Sequence, residues 1–267
     1  MKLPRLTDHE YGQAERLARK VPLDQCPTCK ARPRIVPGSG GATELIPGTY
    51  RLWGKEHKCN CKAQIELRIH YLVANIPTQY MRLDWDADYD GSEVVSKAVN
   101  QYLGNFGYYD DQGLGLEFGG PLGVGKTFAA THIGKELVKR GKKVYFLPFV
   151  EMVSAFEQQG GEEIEKRLRD THVVILDEIL PAEFGERQRA LYATRLEALV
   201  RYRTNFDLPT IITTNMSQAK LNDQYPRIYS LLSAKQLRVE VTGEDARGRV
   251  GKENIELMEN GETRPIT

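Results

Sequence analysis

The stretch Gly120-Pro121-Leu122-Gly123-Val124-Gly125-Lys126-Thr127 constrains this chain more than any other. It fits G-x-x-x-x-G-K-[ST], and its surroundings fit too. An apolar, β-prone run at 114–118 precedes it, and a helical pattern over 126–140 follows and stops at Gly141. Glycines let the backbone curl until successive N–H groups face one anion. The helix behind the loop turns its positive end to the same charge. The pattern thus predicts that Gly120 through Phe128 cradle the phosphates of ATP, that Lys126 reaches the β- and γ-phosphates, and that the Thr127 hydroxyl holds Mg²⁺. Such a strand–loop–helix unit belongs in a parallel sheet covered by helices. The 267 residues leave room for one domain of that kind and a smaller one.

Two further signals arrive in the order such a sheet needs. In His172-Val173-Val174-Ile175-Leu176-Asp177-Glu178 a wholly apolar strand, suited to burial on both faces, delivers two carboxylates to its C-terminal end. Ligands of open α/β sheets gather at that edge. Asp177 is expected to bind Mg²⁺ through its water shell, and Glu178 to orient and polarise the attacking water. A small-molecule kinase has an acceptor in place of that water, so the acidic pair favours hydrolysis. Another apolar strand then ends in Thr213-Thr214-Asn215. An amide at that position can donate to the γ-phosphate or hold the water, which makes Asn215 a candidate beside Lys126, Asp177 and Glu178.

Five runs read as strands: 114–118, 144–147, 173–176, 210–213 and 237–241. Helical patterns lie over 92–106, 126–140, 149–158, 162–169 and 186–202. The expected fold is α/β with a five-stranded parallel sheet, spanning residues 76–250. Residues 242–267 are too few for a helical lid with its own core, and 251–267 read as a loose tail. Residues 65–76 have helical spacing, although Ile65, Leu67 and Ile69 also alternate as a strand would.

All four cysteines lie in the first 75 residues, as Cys26-Pro27-Thr28-Cys29 and Cys59-Asn60-Cys61. Two such knuckles brought together supply four thiolates for tetrahedral zinc at ~2.3 Å. His57 is an alternative ligand, and a disulfide or free thiols are alternative states. Pro37-Gly38 and Pro47-Gly48 mark turns, and 43–46 could fold against 50–53 as a hairpin. So small a module lacks an apolar core able to stand without metal.

With the loop, the acidic pair and the Thr-Thr-Asn strand in register, the chain resembles the AAA+ ATPases, and among them the DnaC/DnaI-type replicative helicase loaders, with IstB-like transposition ATPases as near relatives. The resemblance extends to a lead-in at Ile76-Pro77-Thr78-Gln79-Tyr80. It implies that Arg227, in Tyr225-Pro226-Arg227-Ile228, is an arginine finger and that Arg247, after Gly243-Glu244-Asp245-Ala246, is a sensor arginine. It implies a lidless ATPase completed by a neighbouring subunit, a homo-oligomer in the ATP state. The N-terminal zinc module would dock on a hexameric replicative helicase, and single-stranded DNA would be a second partner. The alternative it leaves open is an ATPase that assembles on DNA and recruits a transposase.

Net charge is +1, so no global field advertises nucleic acid and any such contact must be local. Candidate basic clusters are Lys135, Lys139, Arg140, Lys142 and Lys143; Lys166, Arg167 and Arg169; and Arg187, Arg189, Arg195, Arg201 and Arg203, with Tyr202 and Phe206 as stacking surfaces. The chain shows neither a secretory signal nor a membrane-spanning run. The expectation is a cytoplasmic protein with reduced thiols and no membrane partner.

Overall fold

The computed structural model describes residues 1–18, 20–36, 43–157, 161–181 and 186–267, with backbone alone at 157 and 186–190. These form two compact units, Met1–Tyr89 with Ala246–Thr267, and Asp90–Asp245.

In the first unit, α1 (Asp8–Leu17) begins at a capping box. The Thr7 hydroxyl accepts the Glu10 N–H at 3.2 Å, and the Glu10 carboxylate accepts the Thr7 N–H at 2.8 Å. Two antiparallel hairpins follow, β1 (Pro33–Ile35) with β2 (Thr43–Leu45), and β3 (Thr49–Leu52) with β4 (Lys55–Lys58). The expected hairpin of 43–46 on 50–53 does not form. A two-residue turn at Trp53-Gly54, with φ 51° and 73°, folds β3 forward onto β4, and 43–45 pairs back onto 33–35. The Pro37-Gly38 turn lies outside the described residues. Helix α2 (Cys61–Val73) starts where the Asn60 side chain accepts the Ala63 N–H at 3.2 Å. This settles the 65–76 ambiguity as helix. A short α3 (Trp85–Asp88) closes the N-terminal part of the unit.

In the second unit, α4 (Glu93–Gly104) is capped by Ser92, whose hydroxyl accepts the Val94 N–H at 3.2 Å. After α5 (Phe106–Asp111) the chain alternates: β5 (Gly115–Gly119), α6 (Lys126–Lys139), β6 (Val144–Pro148), α7 (Phe149–Glu157), α8 (Gly161–Asp170), β7 (Val173–Asp177), α9 (Glu186–Asn205), β8 (Thr210–Thr214), α10 (Gln218–Gln224), α11 (Pro226–Lys235) and β9 (Gln236–Glu240). The five strands are parallel in the order β6-β7-β8-β5-β9. Val173, Val174, Ile175 and Leu176 are wholly buried. Phe149, Met152, Leu168 and Leu196 join Val174 and Leu176 in one buried cluster, and each such side chain contributes ~1.5–3 kcal/mol by leaving water. Register aligns the strand ends. Gly119 lies opposite Thr214 and Leu176 opposite Ile212, so the loop after β5, Asp177 and Asn215 all emerge at one edge.

The expected divisions at 75 and 250 move to 89 and 245, because Ile76, Met81, Leu83 and Trp85 are buried in the first unit. The expected loose tail is replaced by α12 (Arg247–Glu259) and a pinned segment after it. Gln64 accepts the Ile266 N–H at 2.6 Å and donates to the Ile266 carbonyl at 2.9 Å. Thr263 N–H donates to the Arg51 carbonyl at 2.9 Å, and Tyr71 donates to the Thr267 carbonyl at 2.7 Å. Arg264 pairs with Asp88 and with Glu253. These bonds hold a polar segment whose sequence has no apolar period of its own.

Candidate functional site

The loop from Gly120 to Gly125 joins β5 to α6. Gly120, Gly123 and Gly125 all have positive φ, at 145°, 78° and 93°. At Gly120 a side chain is excluded outright, since a Cβ would lie 2.2 Å from the Val241 carbonyl oxygen. Gly125 caps α6 in the left-handed region, so the first helical N–H groups are turned into the loop. Val124, Lys126 and Phe128 are buried, whereas Leu122 is 55% exposed. The Lys126 ammonium lies inside the loop, donating to the Gly120 carbonyl at 3.0 Å and to that of Pro121.

Thr127, one residue into α6, donates to Asp177 Oδ1 at 2.9 Å. Thr213, near the end of β8, donates to the same oxygen at 2.7 Å. Burial pushes the Asp177 carboxyl above its ordinary value. Hydrogen bonds from Thr213 and Thr127 oppose that rise, the charge of Glu178 adds to it, and the charge of Lys126 opposes it. Thr127 and Asp177 thus bring two hard oxygen donors together beside the loop, a donor set that fits Mg²⁺.

Glu178 follows Asp177 with φ 55°, a conformation costly for a residue with a side chain. Thr213 holds the turn: its hydroxyl accepts the Glu178 N–H at 2.8 Å, and its carbonyl accepts the Ile179 N–H at 3.0 Å. The exposed Glu178 carboxylate then accepts from the Asn215 amide at 2.8 Å. Thr127 with Asp177, and Asn215 with Glu178, are therefore joined at the sheet edge beside Lys126. Thr213 is the participant that sequence reading missed. Its signal is a hydroxyl placed where an apolar buried strand reaches its charged end.

Two further predicted residues are arginines, one on α11 and one on α12. Arg227 is exposed in the first turn of α11. Arg247 is exposed at the start of α12, in the first unit.

The four cysteines converge in the first unit, and none is in a disulfide. Their sulfurs all lie within 4.8 Å of one another, with Cys26–Cys59 at 3.5 Å and Cys29–Cys61 at 3.3 Å. Four thiolates at ~2.3 Å from a tetrahedral zinc stand about 3.8 Å apart, so the residues present fit the metal. His57 is not among them; it is exposed and stacks on Tyr50 at 5.3 Å. Burial opposes ionisation of Cys29, but hydrogen bonds from Ala31, Cys61 and Gly48 bring its thiol down to about 7. Burial and the Cys29 hydrogen bond hold Cys61 up at about 11, although Gly48 opposes them, and burial with the neighbouring Cys26 pushes Cys59 higher still. Four thiolates packed this closely need a cation among them.

Several of the candidate basic residues are engaged within the chain. Arg203 is fully buried. Its guanidinium donates to the carbonyls of Leu168, Thr171, His172 and Pro209 and to the Thr210 hydroxyl, at 2.7–2.9 Å. Lys135 is buried on α6. Lys139 pairs with Glu136, Lys142 with Asp110, Arg169 with Glu165 and Arg201 with Glu197. Arg167 lies over Tyr145 and Arg195 over Phe156. The side chains of Arg187 and Arg189 lie outside the described residues.

The model of the family described as IstB-like ATP binding protein matches residues 61–227. The chain belongs to that family. Among curated proteins, an ATP-binding protein of insertion sequence IS5376 from Geobacillus stearothermophilus is 37% identical over 73 residues. That match covers 26% of this chain and 29% of the relative, so the chain spans under a third of the curated protein it matches. Among solved structures, this IstB-like chain is similar to DnaI, at 22% identity and TM-score 0.55, covering 64% of this chain and 94% of that one. It is similar to the DnaC helicase loader at 21% identity and TM-score 0.53, covering 62% and 100%. A primosome component from Streptococcus pyogenes serotype M3 follows at 20% identity and TM-score 0.53, covering 65% and 93%. At these identities the likeness is one of fold: the α/β unit with its five-stranded parallel sheet. Among the described residues, no helix is long and apolar enough to cross a membrane.

Proposed function

We propose that this chain is a Mg²⁺-dependent ATPase of DNA replication that loads a hexameric, ring-shaped helicase onto single-stranded DNA, with ATP binding and hydrolysis as the assembly and release switch. The observation that carries this reading is the joined cluster at the sheet edge, with Thr127 and Thr213 on Asp177 and Asn215 on Glu178, beside the buried Lys126. Loop N–H groups from Leu122 to Thr127 and the Lys126 ammonium hold the phosphates. Thr127 and Asp177 would hold Mg²⁺, whose charge offsets that gathering on the phosphate oxygens. Glu178 polarises the attacking water while Asn215 fixes its direction, and the bond to the β–γ bridging oxygen breaks.

Arg227 stands in the first turn of α11, where the helix dipole disfavours a cation, and no carboxylate among the described residues pairs with it. That placement supports a role on a neighbouring subunit's γ-phosphate, so that the active form is a homo-oligomer. Arg247 is proposed for the γ-phosphate of its own subunit. Cys26, Cys29, Cys59 and Cys61 would hold zinc, which supplies folding free energy to a small unit. That unit is the candidate for docking on the helicase.

A second reading is favoured by the insertion-sequence relative: a transposition ATPase that assembles on DNA and recruits a transposase. Affinity capture with ATP and the Glu178→Gln chain as bait separates the two. Copurification of a hexameric helicase with single-stranded DNA supports loading. A transposase held on duplex DNA supports the second reading. Capture of neither, with no ATP retained, overturns both.

A further inference from the structure

The first unit carries a cationic surface that its own fold leaves unused. Between residues 30 and 62 the chain has seven lysines and arginines against two glutamates, in a protein of net charge +1. Arg34, Arg51, Lys55, Lys58 and Lys62 are exposed, and none pairs with a carboxylate among the described residues. Strand β4 is exposed along its whole length.

At the tip of the same hairpin sits Trp53, 59% exposed and with φ 51°. Two-residue turns with both φ positive favour Asn-Gly or Gly-Gly, so an indole there strains the backbone and also leaves apolar surface in water. The tip is nonetheless rigidly held. The N–H groups of Trp53 and Gly54 donate to the Glu262 carboxylate at 2.6 and 2.7 Å. The Arg264 guanidinium lies 5.4 Å from the indole centroid and is itself tied to Asp88 and Glu253. A lysine-bearing edge strand resists unwanted strand pairing, but that role gives no account of a strained, exposed and braced indole.

We propose that the Trp53 tip and the flanking cations of the β3–β4 hairpin bind single-stranded nucleic acid, one base stacking on the indole while Arg51 and Lys58, which share one face of the hairpin with the intervening Glu56, meet the phosphates. Stacking on a protruding ring needs a free base face, which a strand offers only when unpaired. The phosphates supply the charge that complements the hairpin. This site is separate from the ATP cycle proposed above and does not require nucleotide.

The test is fluorescence anisotropy of a labelled oligothymidylate of about 15 nucleotides titrated with the full chain, without ATP, across a salt series. The single strand binds more tightly than a duplex of equal length, and log affinity falls linearly with log salt. Trp53→Asn suits the turn better than tryptophan, so zinc content and the unfolding midpoint hold while affinity falls about tenfold. Trp53→Phe keeps most of the affinity. Joint Arg51→Gln and Lys58→Gln substitution flattens the salt slope by roughly 1.4. Lys126→Ala binds the strand as the parent does, which keeps this outcome distinct from any failure of the ATPase reading. Unchanged binding in Trp53→Asn, equal affinity for duplex, or loss of binding in Lys126→Ala overturns the proposal.

Discussion

Thr213 is the site residue whose removal tests the geometry most finely. Thr213→Val keeps shape and β-branching and deletes only the hydroxyl. Two bonds go with it, the 2.7 Å donation to Asp177 and the 2.8 Å acceptance from the Glu178 N–H. A hydrogen bond to a charged group is worth ~1.5–3 kcal/mol. Both losses bear on side chains that must be aligned for hydrolysis. Taking ~2 kcal/mol as the lost alignment, kcat/KM for Mg·ATP falls about thirtyfold. The pH profile moves as well. Burial already raises the Asp177 carboxyl, and the Thr213 bond is among the forces restraining that rise. Without it the protonated form persists to higher pH, so metal binding is lost earlier on acidification and the acid limb shifts upward. Phosphate release at limiting and saturating Mg·ATP across the acid range reads both effects. Thr213→Ser, which restores the hydroxyl, should recover most of the rate. A valine variant with parental turnover, Mg²⁺ requirement and acid limb would exclude this role for the Thr213 hydroxyl.

Other expectations follow from the same contacts. Arg203→Met leaves four carbonyls without their shared donor and should destabilise the second unit by about 3–5 kcal/mol, a large share of a typical domain's stability; a urea midpoint corresponding to under ~1 kcal/mol would contradict this. Elemental analysis should return one zinc per chain, and a strong chelator should red-shift tryptophan emission, because Trp85 is buried in the first unit; unchanged emission after metal removal would show that the four thiols hold no structural ion. Arg227→Ala should retain ATP binding while losing assembly-stimulated hydrolysis by about a thousandfold, and stimulation equal to the parent's would remove the finger assignment.

The parts of the fold that were legible in the sequence are those whose signal is local. The loop carries its own glycines and lysine, and β7 is apolar at its first four positions, which are wholly buried. All five strand predictions fall within one residue of the observed bounds. Long-range hydrogen bonds were not legible. The segment after α12 is polar and is held through Gln64, Arg51 and Tyr71, far away in the chain. Hairpin register turned on Trp53 adopting positive φ, which no propensity favours. Basic residues misled for a related reason. Arginine count says nothing of whether a guanidinium meets water or, as at Arg203, a ring of backbone carbonyls. Thr213 went unread because a threonine in a strand is ordinary until the acid beside it is known.

In the proposed cycle one nucleotide is held by the loop at 120–127 and cleaved by water poised on Glu178. Paired measurement of ATP affinity and hydrolysis in Glu178→Gln tests this most directly. Affinity should stay within about twofold of the parent while the rate falls by at least ~100-fold, with the ATP-bound assembly persisting. Parental hydrolysis in that variant, or no ATP binding by the unaltered chain, would contradict it.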